Sequence, residues 1–369
     1  MSLILDGSNG ITFPNSSTQA VGFYGFKNRI INGGMNVNQY NVGTVAAVDG
    51  VFPIDRWRSW QNSGSGSKGN MAVNLNSAGA PIGFQNYLGF QTTSAYSVSG
   101  TDAYGFQHRP EGQNMADLLW GTANAKAATL SFYVYSSLTG TFGGSIRDTA
   151  GTASYPFSYT VSSANTWTSV TINVLGPTIG TWGTGNGVWG YINLSYGAAS
   201  SVSGTAGAWS ASSYWSATGA VSVVSTNSAT FYFAGVQLEA GSTATSFDYR
   251  PYNTELALCQ RYYETYALFY NNESLVGMCE STTAAYTAWK FVVTKRAAPT
   301  CATFGTVQVV SAVGSGLSLS SFSFTNTNPD QARINAMTNS ASLVAGNATN
   351  FYTTTSTSPY GGFTASAEL

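Results

Sequence analysis

Few residues in this chain have types and spacings suited to catalysis. His108 is the single histidine in 369 residues, so a serine or cysteine nucleophile has one candidate base. It lies in FQHRPEG beside Arg109 and Glu111, and a histidine held in a turn by backbone groups accounts for it. Glycoside cleavage needs two carboxyls facing each other across a sugar. Asp102, Glu111 and Asp117 lie close in sequence and near tyrosines, but their spacing fixes no geometry. Cys259, Cys279 and Cys301 are odd in number and make no CxxC pair. With no two of them close in sequence and one histidine in the chain, a zinc site has almost no ligands to draw on, and free thiols are expected. The run GTGNGVWG lacks the helix and the Lys-Ser/Thr ending of a phosphate loop. No cofactor is expected. A structural Ca²⁺ at Glu239 or Asp248 has no EF-hand-like loop behind it. The expectation is a protein that is not an enzyme.

Aromatic side chains offer binding chemistry instead. Between Gly176 and Ala220 the loops are rich in Gly, Ser and Thr and carry Trp182, Trp189, Trp209, Tyr214 and Trp215. Rings on such loops can stack on sugar faces while nearby Asn and Ser bond the hydroxyls. The same rings can plug the open end of a sandwich or pack on a neighbouring subunit, since tryptophan is mostly buried. The five residues stand as candidate glycan contacts, with both readings open.

The elements that must position these rings are short strands. Hydrophobic residues make up 43% of the chain and charged residues only 8%, against ~25% charged in an ordinary soluble domain. With 41 Gly, 22 Tyr, 20 Phe and 9 Trp, this suits many strands joined by tight turns. A weakly charged surface favours association. The net charge of -1 and the scattered Lys and Arg argue against nucleic-acid binding. No apolar run approaches the ~20 residues that span a bilayer, so no membrane insertion is expected. MSLILDGSNG lacks the positive start of a signal peptide, so synthesis in the cytoplasm is expected.

Leu130, Phe132 and Val134 alternate against Ser131, Tyr133 and Tyr135, a strand with one buried face. Met71, Val73 and Leu75 do the same. Further strands are expected at Arg29–Met35, Asp55–Trp60, Tyr87–Gln91, Tyr155–Val161, Ser169–Leu175, Val188–Leu194, Val221–Val224 and Phe231–Leu238, with a turn at Gly143-Gly144. Asn114–Trp120 suggests a helical turn. Thr254–Tyr263 reads as a short helix with Thr254 as N-cap. Beyond it, strands are expected at Trp289–Thr294, Val307–Val310, Leu317–Phe324, Ala341–Val344, Asn350–Thr354 and Phe363–Leu369, with a short helix at Asp330–Met337. The class is all-β: a jelly-roll β-sandwich, then a smaller C-terminal β-domain, with a short N-terminal hairpin arm and a short linking helix. The expected divisions are residues 1–24 for the arm, 25–250 for the jelly roll and 251–369 for the last domain, a candidate oligomerisation or receptor-binding tip.

Several stretches together carry a family resemblance. They are LDGSNGITFPNSSTQA near the start, NRIINGGMNVNQ with the later DRW, LSFYVYSSLTGTFGGSIRD, and GVQLEAG followed by Phe-x-Tyr-Arg-Pro-Tyr and TELALCQRYY. In that order they resemble bacteriophage and prophage tail fibre proteins, which are jelly-roll-containing, receptor-binding virion components. The resemblance spans nearly the whole chain. It implies a non-catalytic virion fibre subunit whose N-terminal arm (1–24) docks on other virion proteins. It also implies a homotrimer, with the helix at Thr254–Tyr263 as a candidate three-fold contact, and host-surface polysaccharide as the adsorption receptor. Two other roles remain open: a purely structural head-decoration or collar protein, and a polysaccharide depolymerase.

Overall fold

The computed structural model describes residues 4–6, 10–12, 18–19, 27–64, 66–268, 275–311, 317, 319–353 and 361–369. The chain is all-β with one short helix. The expected arm falls largely outside the described residues. What is described of it is Ile4–Asp6 paired antiparallel with Gly10–Thr12, which pairs in turn with Thr18–Gln19.

Two antiparallel sheets face each other across the main core. One runs, in spatial order, Ser154–Val161, Gly140–Arg147, Tyr191–Ala198, Ala103–His108 and Trp57–Asn62. The other runs Thr168–Val174, Ala128–Ser136, Thr230–Ala240, Leu88–Thr92, Gly69–Val73 and Val45–Ala46. Alternation in the sequence becomes two faces here. Leu130, Phe132 and Val134 point into the core, while Ser131, Tyr133 and Tyr135 stay half-buried on the outer face. Trp57, Phe106, Phe233 and Leu194 are buried between the sheets. Each such side chain contributes on the order of 1.5–3 kcal/mol by leaving water.

Beyond the sandwich, the helix Tyr252–Gln260 leads into a second β system. A three-stranded sheet, Tyr263–Ala267, Gly362–Ser366 and Thr300–Phe304, accompanies a six-stranded one. The six run Val307–Ser311, Ala348–Thr353, Leu275–Cys279, Ala284–Lys290, Gln331–Thr338 and Leu319–Asn328. Trp289, Ile334, Phe351 and Phe363 are buried in a core separate from the first. Cys259, Cys279 and Cys301 are free. Among the described residues no helix is long and apolar enough to cross a membrane.

Several local expectations fail for physical reasons. Arg29–Met35 is a buried turn, not a strand. Its polar demand is met from within: Asn32 Oδ1 accepts from the Asn36 and Val37 amides, and Asn32 Nδ2 donates to the Val37 and Asp55 carbonyls. Gly143-Gly144 lies inside a strand. A Cβ on Gly144 would sit 2.4 Å from the Phe157 ring, so these glycines serve close packing and do not make a turn. Asp330–Met337 is strand, because Ala332, Ile334 and Ala336 bury at period two. Val221–Val224 and Ala341–Val344 are not strands. Val223–Ser225 forms a single 3-10 turn. The strand placed at Trp289–Thr294 ends at Lys290, where Phe291 turns into the core. Asn114–Trp120 gives two 3-10 turns flanking Met115. The helix starts two residues early, with Pro251 in the capping position and no side-chain cap, and Thr254 lies inside it.

Candidate functional site

A concavity with exposed rings lies where the sandwich meets the helix. It encloses about 330 Å³, and three distant segments build it: the turn at 28–36, the loop at 83–86 and the stretch 247–255. Asn28 holds the first segment in place. Its Nδ2 donates to the Val236 carbonyl at 3.0 Å, while its Oδ1 accepts from the Ile30 and Leu238 amides. The Val236 amide in turn donates to the Gly33 carbonyl at 2.9 Å.

A bulge seats the second segment. The Thr230–Ala240 strand loses register between Ala234 and Gln237. Gly235 there has φ +62, and a Cβ on it would come within 2.5 Å of the Phe84 ring. Only glycine leaves that seat open. Phe84 then packs on Tyr133 at 5.6 Å, on Phe247 at 4.9 Å and on Tyr249 at 5.6 Å.

The third segment alternates. Phe247 and Tyr249 share one side, with centroids 4.9 Å apart. Pro251 then fixes the backbone before the helix. Between the rings, Asp248 and Arg250 point inward. Arg250 bonds the Asn28 and Ile30 carbonyls and pairs with Glu255 at 3.2 Å. Glu255 also accepts from the Asn32 amide. These ions form a satisfied floor.

The rim faces water. Tyr249 is 59% exposed and Tyr252 56%. Ile82, which precedes Gly83 in the chain, is 99% exposed. Asn36 and Gln85 are exposed and Asn86 is half-buried. Broad apolar ring faces next to amide donors and acceptors can bind a polyhydroxylated ring: stacking covers its C–H face, and the amides bond its hydroxyls.

Elsewhere the histidine and the acids singled out in the sequence are tied up. His108 lies on a buried strand, not in a turn. Its Nε2 donates to the Ile31 carbonyl at 3.2 Å, and Trp57 packs edge-on against its ring. Burial, aided by the Arg56 charge, pushes its pKa well below the usual histidine range, so it stands neutral. Glu111 accepts from Arg261 at 2.7 and 2.9 Å and from the Tyr262 hydroxyl at 2.6 Å. Asp117 pairs with Arg29. Asp102 accepts from the Tyr96 hydroxyl and the Ser99 amide. The three acids therefore serve three separate structural contacts. Glu239 accepts from Gln237 Nε2 and from both the amide and hydroxyl of Thr245. Asp248 accepts from the Asn28 amide. Carboxylates filled by N–H and O–H donors do not fit a Ca²⁺ site, which needs converging oxygens.

The five aromatic candidates split into two groups. Trp182, Trp189 and Trp209 gather around Trp120, with centroid separations from 4.5 to 5.6 Å. Trp189 is only 2% exposed and presents no face to a ligand. Trp182 and Trp209 are half-buried, and their indole N–H groups donate to the Ile179 and Leu175 carbonyls. Trp215 stacks on Trp60 at 3.7 Å with 14° between planes, and Tyr214 is half-buried beside it. The cleft rings at 84, 247, 249 and 252 were not among the candidates. Their one signal was the Phe-x-Tyr-x-x-Tyr pattern around Pro251, which points rings outward from an extended segment.

No family model and no curated protein matches this sequence. Solved structures resemble the chain distantly. A putative sugar binding protein from Bacteroides thetaiotaomicron matches with TM-score 0.33 and 10% identity, over 58% of this chain and 100% of that one. The family 11 carbohydrate-binding module of the cellulosomal cellulase Lic26A-Cel5E of Clostridium thermocellum gives 0.27 and 14%, over 56% and 99%. The enzymatically active domain of tailspike protein 4 from bacteriophage CBA120 gives 0.30 and 13%, over 54% of this chain and 22% of that one. At these scores and identities neither ligand nor activity passes from them to this chain.

Proposed function

We propose that the chain is a non-catalytic glycan-binding subunit of a bacteriophage virion fibre, and that it adsorbs to host-surface polysaccharide through the cleft of Phe84, Phe247, Tyr249 and Tyr252. The observation that carries the binding half is the exposure of Tyr249 and Tyr252 beside the Asn36, Gln85 and Asn86 amides, above a floor whose ions are already satisfied. The virion half rests on the resemblance of the ordered motifs from LDGSNGITF to TELALCQRYY. Tail fibre is the favoured position on the particle, and synthesis occurs in the host cytoplasm.

Oligomerisation belongs to the same reading. A homotrimer would cover apolar side chains that the lone chain leaves in water. Val276, Met278, Val292, Met337 and Val344 in the second β system are 41–74% exposed. Three weak clefts on one fibre then act together through effective concentration.

Glycan-array binding by the full chain tests the cleft. Host polysaccharide should be retained, and the double variant Tyr249→Ala/Tyr252→Ala should lose it while its melting temperature holds. Retained binding by that folded variant would overturn the cleft assignment. Sedimentation that shows a monomer at every concentration would remove the trimer. Reducing ends released from host capsule would replace the non-catalytic reading with a depolymerase.

A further inference from the structure

The outer face of the five-stranded sheet carries a second group of side chains, apart from the cleft. Cross-strand register sets Arg58 opposite Gln107, Gln107 opposite Asn193 and Asn193 opposite Ser145. Gln107 Nε2 donates to Asn193 Oδ1 at 2.8 Å, and Asn193 Nδ2 to Ser145 Oγ at 3.1 Å. In the next row Tyr191 pairs with Arg147 on one side. On its other side the Arg109 guanidinium lies 5.2 Å from its ring centroid.

Arg147 is the anomaly. It is only 5% exposed. Its Nη2 donates to Ser213 Oγ, but its buried Nε and Nη1 have no acceptor among the described residues. The guanidinium lies 3.1 Å from the centroid of the Trp215 ring, which stacks on Trp60. A buried cation with unfilled donors is costly to the fold. Arg109 is partly engaged: its Nε donates to Gln107 Oε1 at 2.6 Å and its Nη1 to the Leu369 carbonyl at 2.8 Å. The side-chain carboxylates whose charge acts on the two arginines have other partners. Asp49 accepts from Arg58 at 2.9 Å. Asp148 accepts from the Thr152, Ala153 and Thr181 amides. Burial pushes Arg147 down to about 10. Burial and the Arg58 charge do the same to Arg109.

We propose that this face binds an anionic sugar, with Arg147 and Arg109 flanking its acidic group across Tyr191 and the loop carrying Ser213, Tyr214 and Trp215 closing over it. The guanidiniums call for an anion, and the aromatic rings beside them call for a sugar. Entry requires Trp215 to lift from Arg147, so binding is visible in tryptophan emission. The site does not depend on the cleft, because the two share no residue.

The test titrates the full chain with trigalacturonate, a sulfated heparin tetrasaccharide, neutral galactotriose and inorganic sulfate, read by tryptophan fluorescence and calorimetry. Binding of trigalacturonate or of the sulfated sugar is expected, and which one binds identifies the acidic group. It should weaken as salt rises. R147Q should weaken it by at least about tenfold, and R109Q by less. Tyr249→Ala should not change it. If R147Q fails to fold, R109Q decides. Equal affinity for galactotriose, unchanged binding in the arginine variants, or a response to inorganic sulfate alone would overturn the proposal.

Discussion

Two aromatic clusters in this molecule have almost the same internal spacing and opposite consequences. Around Trp120 the ring centroids lie 4.5–5.6 Å apart. Around Phe84 they lie 4.9–5.6 Å apart. In the tryptophan cluster the rings pack on one another, and three indole N–H groups end on carbonyls of nearby loops. In the cleft the inner rings support Tyr249, which stays 59% exposed. A count of rings does not separate a plug from a platform. What separates them is whether the neighbouring backbone already satisfies the polar edges, and whether one ring face still meets water.

The comparison can be broken or sharpened by experiment. The largest effect belongs to the plug. Trp189→Ala should cost ~3–5 kcal/mol of stability, seen as a lowered denaturation midpoint, with glycan affinity unchanged in the surviving fold. If that variant were as stable as wild type, the cluster would not be core. Next is Glu111, which ties the tryptophan side to the helix. Its side chain is fully buried against Arg261 and Tyr262. Glu111→Ala strands those donors and should cost ~3 kcal/mol. An effect below about 1 kcal/mol, the scale of a surface ion pair, would show that the joint is wet.

On the platform side, Tyr249→Ala should reduce glycan affinity by about tenfold, or ~1.4 kcal/mol, and leave thermal melting within the scatter of surface substitutions. The reverse pattern, lost stability with binding intact, would make Tyr249 a second plug.

The remaining effect is a slope against pH. Asp55 lies under the turn that lines the cleft, and its backbone carbonyl accepts from Asn32. Burial pushes its carboxyl up to about 7, against two hydrogen bonds from Gln39 that pull it down. An unfolded aspartate titrates near ~3.9. Between these values the native state holds a proton that the unfolded chain has released. Stability therefore falls as pH rises from about 4 to 7. Asp55→Asn should flatten that decline in melting temperature, and an identical slope in both proteins would refute it.

Composition and alternation made much of this architecture legible. The strand around Leu130, Phe132 and Val134 was readable because one face is apolar and the other is not. Gly143-Gly144 misled because sequence alone does not tell a glycine needed for a turn from one needed for contact with Phe157. Asp330–Met337 misled because its alternating apolar residues are mostly alanine, which suits a helix equally well. The cleft escaped because Phe84 and Tyr249 meet only through the bulge at Gly235, and no local spacing encodes a contact across 165 positions. The tryptophan-rich loops attracted attention by composition. The bonds from the Trp182 and Trp209 indoles to backbone carbonyls are visible only in the folded chain.

The joint beyond the helix has a mechanical consequence. Arg261 and Tyr262 grip Glu111, Arg56 meets Glu368, and Arg296 reaches the Asn186, Ala367 and Glu368 carbonyls. Force applied to one β system is shared among several strands of chain at once and does not hang on a single connecting peptide. An object tethered by this protein would feel a stiff strut, and its far end would turn with the sandwich under a tug.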